Sequence, residues 1–215
     1  MWGVYPRRTQ LLVVAAVAIA LAWAFEAAVE WFGGEPTTPL KWVSLIATLI
    51  LTPIVGIAGW VWRGLWRFSP WVERNTFPDL TGIWEGHLVS TWLDAEGKLL
   101  PPIPVTMLIR QGLLFISVKM RTAESSSYST RSLPEADREA QRFRVWYSYE
   151  NRPDATFSHR SSRHDGVAWL EMDYERDPDR LVGQYFTERK TSGDIDVRRV
   201  SRDVTPDAAP EFREP

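Results

Sequence analysis

The sequence predicts an N-terminal two-helix transmembrane hairpin followed by an all-β domain, an eight-stranded up-and-down antiparallel β-barrel of the lipocalin-like kind. Two long apolar runs within the first 66 residues predict the hairpin. The remaining chain divides into short segments in which apolar and polar residues alternate, and turn residues separate these segments, which predicts strands. The mean hydropathy of −0.22 is slightly negative despite the two runs, so the rest of the chain is strongly polar.

The two apolar runs are long enough to cross a membrane. Residues 11–25 and 42–62 contain no charged residue, and a bilayer core about 30 Å thick needs about 20 helical residues. A cleaved signal peptide is the alternative for the first run, but Trp23, Phe25 and Glu26 stand where a small-residue cleavage site would be needed. The expected boundaries are a hairpin over residues 1–67 with spans at about 10–32 and 41–62, a linker over 68–78, a barrel over 79–204 and a flexible tail over 205–215.

The charges beside the apolar runs predict the orientation of the hairpin. Four arginines lie before the first run or after the second: Arg7, Arg8, Arg63 and Arg67. The connection between the runs holds Glu26, Glu30 and Glu35 against a lone Lys41. By the positive-inside rule, both termini and the β-barrel are therefore expected to face the cytoplasm.

Alternation and turn residues define the strands of the second domain. Eight strands are expected, over residues 82–92, 105–110, 113–121, 125–133, 143–149, 167–174, 181–188 and 195–201. Tight turns are expected at Gln111-Gly112, at Asp177-Pro178-Asp179 and at Ser192-Gly193-Asp194. Only the segment from Pro134 to Gln141 has a helix-like composition, and one or two helical turns are expected there.

Eight short antiparallel strands favour a closed barrel, because closure removes exposed sheet edges and can enclose one small ligand. A two-sheet sandwich is the alternative arrangement. Trp84 is expected to be a buried anchor of the first strand, because Gly82 and Gly86 on either side leave room for its ring.

The sequence carries no recognisable motif for catalysis or metal binding. It has no nucleophile elbow around its serines and no glycine-rich phosphate loop. His159 and His164 lack carboxylates or cysteines at ligand spacing, so solvated loop histidines are expected rather than a metal site. We therefore expect no enzyme activity, no metal and no cofactor. The formal net charge of −2 also argues against a partner of duplex nucleic acid.

A candidate ligand pocket is indicated by aromatic and polar residues at the ends of strands. Aromatic rings stack on nucleotide bases, while arginine, asparagine and serine form hydrogen bonds with base edges or phosphates. The alternative is that the tyrosines belong to the barrel core and the serines to an exposed edge. The candidate ligand-binding residues are Tyr147, Tyr149, Asn151, Arg152, Tyr185, Arg199, Ser125 and Ser127.

Five segments, in this order and behind a membrane hairpin, carry a resemblance to a known family. They are residues 77–88 (FPDLTGIWEGHL), 125–128 (SSSY), 147–153 (YSYENRP), 164–170 (HDGVAWL) and 181–186 (LVGQYF). The chain resembles the SMODS-associated two-transmembrane, β-strand-rich effectors of bacterial CBASS anti-phage defence, which are functional analogues of STING with an unrelated receptor fold. The resemblance covers nearly the whole chain.

This resemblance implies a protein of the bacterial inner membrane whose cytoplasmic barrel binds a cyclic dinucleotide. A partner nucleotidyltransferase, the cyclic-nucleotide synthase, makes that messenger during infection. Ligand binding is expected to drive homo-oligomerisation, after which the spans act on membrane lipids and disrupt the membrane. The infected cell then dies before phage mature, which is abortive infection.

Two other functions remain compatible with the residues alone. One is a membrane-anchored, lipocalin-like binder of an apolar small molecule, whose pocket would be walled by Leu, Ile and Phe without convergent arginines. The other is a structural membrane protein whose barrel recruits a partner. The sequence does not define the bases of the ligand, its linkage or the number of assembled protomers.

Overall fold

The structure is a computed structural model. It describes residues 69–93, 96–112, 115–159 and 162–205, together with isolated positions between residues 12 and 32. Apart from those isolated positions, the expected spans at 10–32 and 41–62 lie outside the described residues. No helix within the described part of the chain combines the length and apolar character that a membrane crossing requires.

Eight antiparallel strands close into a barrel in which each strand pairs with its neighbours in the chain and β8 pairs with β1. The strands are β1 (Gly82–Ser90), β2 (Ile103–Gln111), β3 (Ile116–Arg121), β4 (Ser125–Asp137), β5 (Arg142–Pro153), β6 (His164–Asp173), β7 (Arg180–Thr187) and β8 (Ser192–Ser201). A short helix, α1 (Pro70–Asn75), precedes β1. The prediction of an up-and-down barrel, rather than a sandwich, is confirmed.

Side-chain alternation places the core inside the barrel. On β5, Phe143, Val145 and Tyr147 are at most 4% exposed, whereas the residues between them are only partly buried. This is the face that the sequence pattern predicts, because successive side chains of a strand point to opposite sides of the sheet.

The barrel is closed at the end where β1 begins, which we call the capped end. Phe77 and Leu80, from the segment before β1, are 0% and 1% exposed and pack against Trp84 in the core. Trp84 is fully buried and its indole Nε1 donates a hydrogen bond to the carbonyl of Leu80 at 3.0 Å. The prediction of a buried anchor at Trp84 is therefore confirmed.

Helix α1 is attached to this capped end and occupies part of the segment expected to be a linker. The hydroxyl of Tyr174, just after β6, donates a hydrogen bond to Glu73 Oε2 at 2.6 Å. The ring of Tyr174 in turn meets that of Phe143 edge-on, with 6.1 Å between their centroids. The folded unit thus includes α1 as well as the strands.

Two local predictions were wrong. The helix-like segment from Pro134 is instead the second half of β4, which stays paired with β5 as far as Asp137, opposite Arg142. Pairing with a neighbouring strand outweighs the helix propensity of its Glu and Ala residues. The turn expected at Ser192 lies earlier, where Lys190 has a φ of 62°, because Ser192 already pairs with Phe186.

Candidate functional site

The barrel interior becomes polar at the end opposite the cap, which we call the polar end. It is formed where β1, β5 and β7 end and where β4, β6 and β8 begin. Four polar side chains there are at most 9% exposed: Ser90, Ser127, Asn151 and His164. The rings of Tyr149 and Tyr185 complete the lining, whereas the capped half is filled by apolar residues such as Leu170 and Met172.

Asn151 lies at the centre of the polar end. It pairs with Ser127 on β4 and with His164 on β6, so the three side chains share the inner face of neighbouring strands. The Asn151 amide, 8% exposed, and the Ser127 hydroxyl, 4% exposed, form no hydrogen bond with another described residue. Buried polar groups are normally paired, and leaving them unpaired is costly. These groups are therefore candidates for binding a polar ligand.

Two tyrosines add buried hydroxyl groups that also lack a hydrogen bond with another described residue. Tyr147 and Tyr149 lie with ring centroids 6.1 Å apart, and neither hydroxyl makes a hydrogen bond with another described residue. Burial raises the pKa of both phenols well above the usual value, so both are neutral at neutral pH. Burial also raises the pKa of Tyr185, while a hydrogen bond with Ser90 works in the opposite direction.

Two glycines make room for these rings. A Cβ added at Gly166 would lie 2.5 Å from the Tyr149 hydroxyl, and a Cβ at Gly193 would lie 2.6 Å from the Tyr185 ring. Each tyrosine thus occupies space that any other residue on the neighbouring strand would fill. The absence of a side chain at Gly166 and Gly193 is therefore required for this placement of the two rings.

His164 is not the solvated loop histidine expected from the sequence. It opens β6 and is 9% exposed. Its Nδ1 lies 3.0 Å from the carbonyl oxygen of Ser162. In the neutral ring this contact places the proton on Nδ1, which leaves Nε2 as an acceptor inside the polar end.

The structure does not bring the two predicted arginines to the polar end. Arg152 lies on the outer face, where its side chain is 61% exposed and forms an ion pair with Glu150. Arg199 lies at the capped end, and its side chain is 4% exposed with the guanidinium 4.3 Å from the centroid of the Trp84 ring. The geometry therefore does not support Arg152 or Arg199 as a phosphate partner inside this pocket.

The contacts of Arg199 are with residues of the capped end. Its guanidinium donates to the carbonyl of Asp79 at 2.8 Å, and its Nε lies 3.3 Å from Asp179 Oδ1, a charge contact without hydrogen-bond geometry. Burial lowers the pKa of Arg199 to about 10, which leaves the group charged at neutral pH.

The other six predicted residues are at or near the polar end. Among them, Ser125 contacts Thr122, with 3.2 Å between the two hydroxyl oxygens.

A cation that the sequence reasoning missed, Arg189, lies beside the polar end. It belongs to the turn between β7 and β8 and is separated from inward-facing Thr187 by Glu188. Its charge is close enough to lower the pKa of Tyr149, opposing the larger effect of burial. Only the barrel topology reveals this proximity, because Glu188-Arg189-Lys190 reads in the sequence as an ordinary charged turn.

Comparisons with known proteins agree with this fold. Residues 75–199 match the family model described as Cap15, cyclic dinucleotide receptor domain. The match covers more than half of the chain and runs from the end of α1 into β8. A search of curated proteins finds no match. The chain belongs to the Cap15 cyclic dinucleotide receptor family of CBASS effectors.

Proposed function

We propose that the polar end of the barrel is the receptor site for the cyclic dinucleotide. The observation that carries this proposal is the set of buried polar side chains that have no hydrogen-bond partner among the described residues, above all the Asn151 amide. An amide offers both a donor and an acceptor, so it suits the edge of a base. The neighbouring Tyr149 and Tyr185 offer aromatic faces for stacking.

The phosphates need positive charge at the mouth of the pocket rather than deep inside it. Arg189 has a charge that acts on Tyr149, and it lies in an exposed turn. A phosphodiester at the mouth would gain charge-assisted hydrogen bonds from it. An apolar ligand would leave Asn151 and Ser127 unpaired, so the alternative of a lipocalin-like carrier of an apolar molecule is disfavoured.

The proposed output is disruption of the bacterial inner membrane. The two apolar runs of the sequence support a membrane anchor, and the arginines beside them support cytoplasmic termini. Because α1 joins the barrel at the capped end, an anchor before residue 69 would leave the polar end facing away from the membrane. Ligand made by the partner synthase would then promote homo-oligomerisation, and the assembled spans would breach the membrane and kill the infected cell.

Calorimetric titration of the full chain in detergent, with a panel of cyclic di- and trinucleotides, tests the site. At least one cyclic dinucleotide should bind, and Asn151→Ala should weaken its binding at least about tenfold. Gln184→Ala is the matched control, because this amide is exposed on the outer wall and bonds Asp194. A chain that binds none of the panel, or an Asn151 variant that binds normally, would contradict the proposed site.

Two further measurements test the membrane part separately. A reporter fused after Pro215 should read as cytoplasmic, and liposomes that contain the full chain should release dye when the ligand is added. A periplasmic reporter would separate the barrel from its messenger and refute the proposal. Ligand binding without dye release would leave the receptor site intact but refute membrane disruption.

A further inference from the structure

An exposed tryptophan, Trp92, lies at the mouth of the polar end, two residues after β1 ends. Every second residue of β1 from Trp84 onwards faces the barrel interior, and Leu88 and Ser90 are each 6% exposed. Trp92 is the next residue in this series, and side chains two residues apart on an extended chain point to the same side. Trp92 itself is 54% exposed. It therefore continues the inner face of β1 beyond the wall of the barrel.

Hydrogen bonds to β8 hold the chain that leads to Trp92. The amide N–H and the hydroxyl of Thr91 both donate to the carbonyl of Ser192, each at 2.8 Å. The amide N–H of Ser192 donates back to Thr91 Oγ1 at 3.2 Å. The pairing of β1 with β8 thus extends one residue past Ser90, and the backbone beside Trp92 has little conformational freedom to lose when a ligand binds.

Ser90 connects Trp92 with the aromatic lining of the polar end. Its hydroxyl accepts a hydrogen bond from the amide N–H of Trp92 at 3.1 Å and also forms a hydrogen bond with Tyr185. Ser90 pairs with Gly193, the residue whose missing side chain leaves room for the Tyr185 ring. The chain at Trp92 thus leaves the barrel at the part of the wall against which Tyr185 packs.

Trp92 is not an isolated exposed residue. Leu93 and Leu99, from the same connection between β1 and β2, form a β-bridge and are 52% and 62% exposed. The three side chains give the mouth an apolar rim on the side of β1. Exposed apolar side chains grouped beside a polar pocket are typical of a surface that contacts a ligand.

We propose that Trp92 provides the aromatic face on which the second base of the cyclic dinucleotide stacks. The inference rests on the proposed function, in which one base meets the Asn151 amide inside the barrel and the phosphates lie at the mouth near Arg189. The two bases are attached to opposite sides of the phosphate ring, so the second base then lies outside the barrel wall. Stacking tolerates every base, so Trp92 adds affinity while the hydrogen bonds inside the barrel select the base.

Calorimetric titration of full-length variants in detergent tests this role, with the cyclic dinucleotide of the panel that binds most tightly. Trp92→Ala should raise Kd about five- to a hundredfold, the range expected for one base on an aromatic ring. Phe115→Ala is the matched control and should bind like the natural chain, because Phe115 is 56% exposed but lies between β2 and β3 at the capped end. Both variants should keep the natural Tm. A Trp92 variant that loses affinity and Tm together would overturn the proposal.

Two conservative variants distinguish stacking from simple apolar contact. Trp92→Phe keeps an aromatic face and should bind within a few-fold of the natural chain, whereas Trp92→Leu keeps only apolar surface and should bind as weakly as Trp92→Ala. The ligand should quench part of the tryptophan fluorescence of the natural chain, and Trp92→Phe should lack that part although it still binds. A leucine variant as tight as the phenylalanine variant, or quenching that persists in Trp92→Phe, would refute stacking on Trp92.

The natural chain separates this proposal from the proposed function. If the natural chain binds no cyclic dinucleotide, the receptor proposal fails and the stacking role fails with it. If the natural chain binds and Trp92→Ala binds equally tightly, only the role of Trp92 is refuted. The receptor site at the polar end then still depends on the separate result for Asn151→Ala.

Discussion

Arg199 and Arg189 should have opposite roles, and substituting each of them tests the assignment of the two barrel ends. Arg199→Met should weaken the fold and leave ligand binding intact. Arg189→Met should weaken ligand binding and leave the fold intact. The reason is position, because Arg199 is buried against Trp84 at the capped end while Arg189 lies in an exposed turn near Tyr149.

The size of the Arg199 effect follows from its contacts. A desolvated cation over a tryptophan ring contributes about 2 kcal/mol, and a hydrogen bond from a charged donor contributes about 1.5–3 kcal/mol. Arg199 makes the first contact at 4.3 Å and the second, to the carbonyl of Asp79, at 2.8 Å. Methionine recovers part of this through its own burial, so we expect a net loss of roughly 2–4 kcal/mol and a fall in Tm on the order of 10 °C.

The Arg189 effect appears in affinity. One charge-assisted contact to a phosphate contributes about 1.5–3 kcal/mol to the binding free energy. Its loss should therefore raise Kd roughly ten- to a hundredfold. Thermal melts followed by circular dichroism, together with calorimetric titration of both full-length variants, measure the two effects side by side. Lys98→Met, an exposed cation in the β1–β2 connection, serves as a charge control. A stable Arg199 variant with impaired binding would show that the ligand binds at the capped end, and would refute the reasoning.

Three other perturbations probe the polar end. Asn151→Leu should abolish ligand binding without lowering the free energy of unfolding in urea melts, because the amide makes no hydrogen bond with another residue that the structure describes. Gly166→Val should displace the Tyr149 ring and weaken ligand binding at least about tenfold by calorimetry, whereas unchanged affinity would exclude Tyr149 from the site. Burial raises the pKa of Tyr147 in the folded state above its value of 10.0 in the unfolded state. The protonated phenol therefore makes its full contribution to stability below pH 10, and this contribution is lost as the pH rises further. Absorbance at 295 nm during alkaline titration measures the ionisation of the tyrosines. A native chain in which all tyrosines ionise near pH 10 would contradict the burial of Tyr147.

The barrel could be predicted from the sequence because its information is local and periodic. The inward face of β5, with Phe143 and Tyr147, follows from alternation alone. Trp84 is buried as predicted, but a Cβ at Gly82 or Gly86 would meet β8 rather than the Trp84 ring. Strand ends were predicted less well, since they depend on pairing. Pro134 continues β4 because β5 is long enough to pair with it, and no window of residues around Pro134 contains that information.

The structure brings six of the eight candidate residues to one end of the barrel, but not the two arginines. Alternation shows that Tyr149 and Asn151 face inward, yet it does not show which end of the barrel a given arginine joins. Arg199 faces inward as well, but at the end of β8 that meets the cap, whereas Arg189 reaches the tyrosines from a turn. The sequence predicts a loop at His164 because β6 begins three residues before the first clear alternation at Val167.

The position of the polar end bears on how a ligand could promote assembly. Tyr147 and Trp146 are consecutive on β5, one pointing into the barrel and the other outward. A ligand that orders the inner face of β5 therefore acts on the same backbone that presents Trp146, which pairs with Trp169 of β6, on the outer wall. A ligand shifts association only if it binds the associated state more tightly, and the coupling is reciprocal. Ligand affinity should consequently rise with the density of the chain in the membrane, and the factor by which it rises should equal the factor by which the ligand strengthens association.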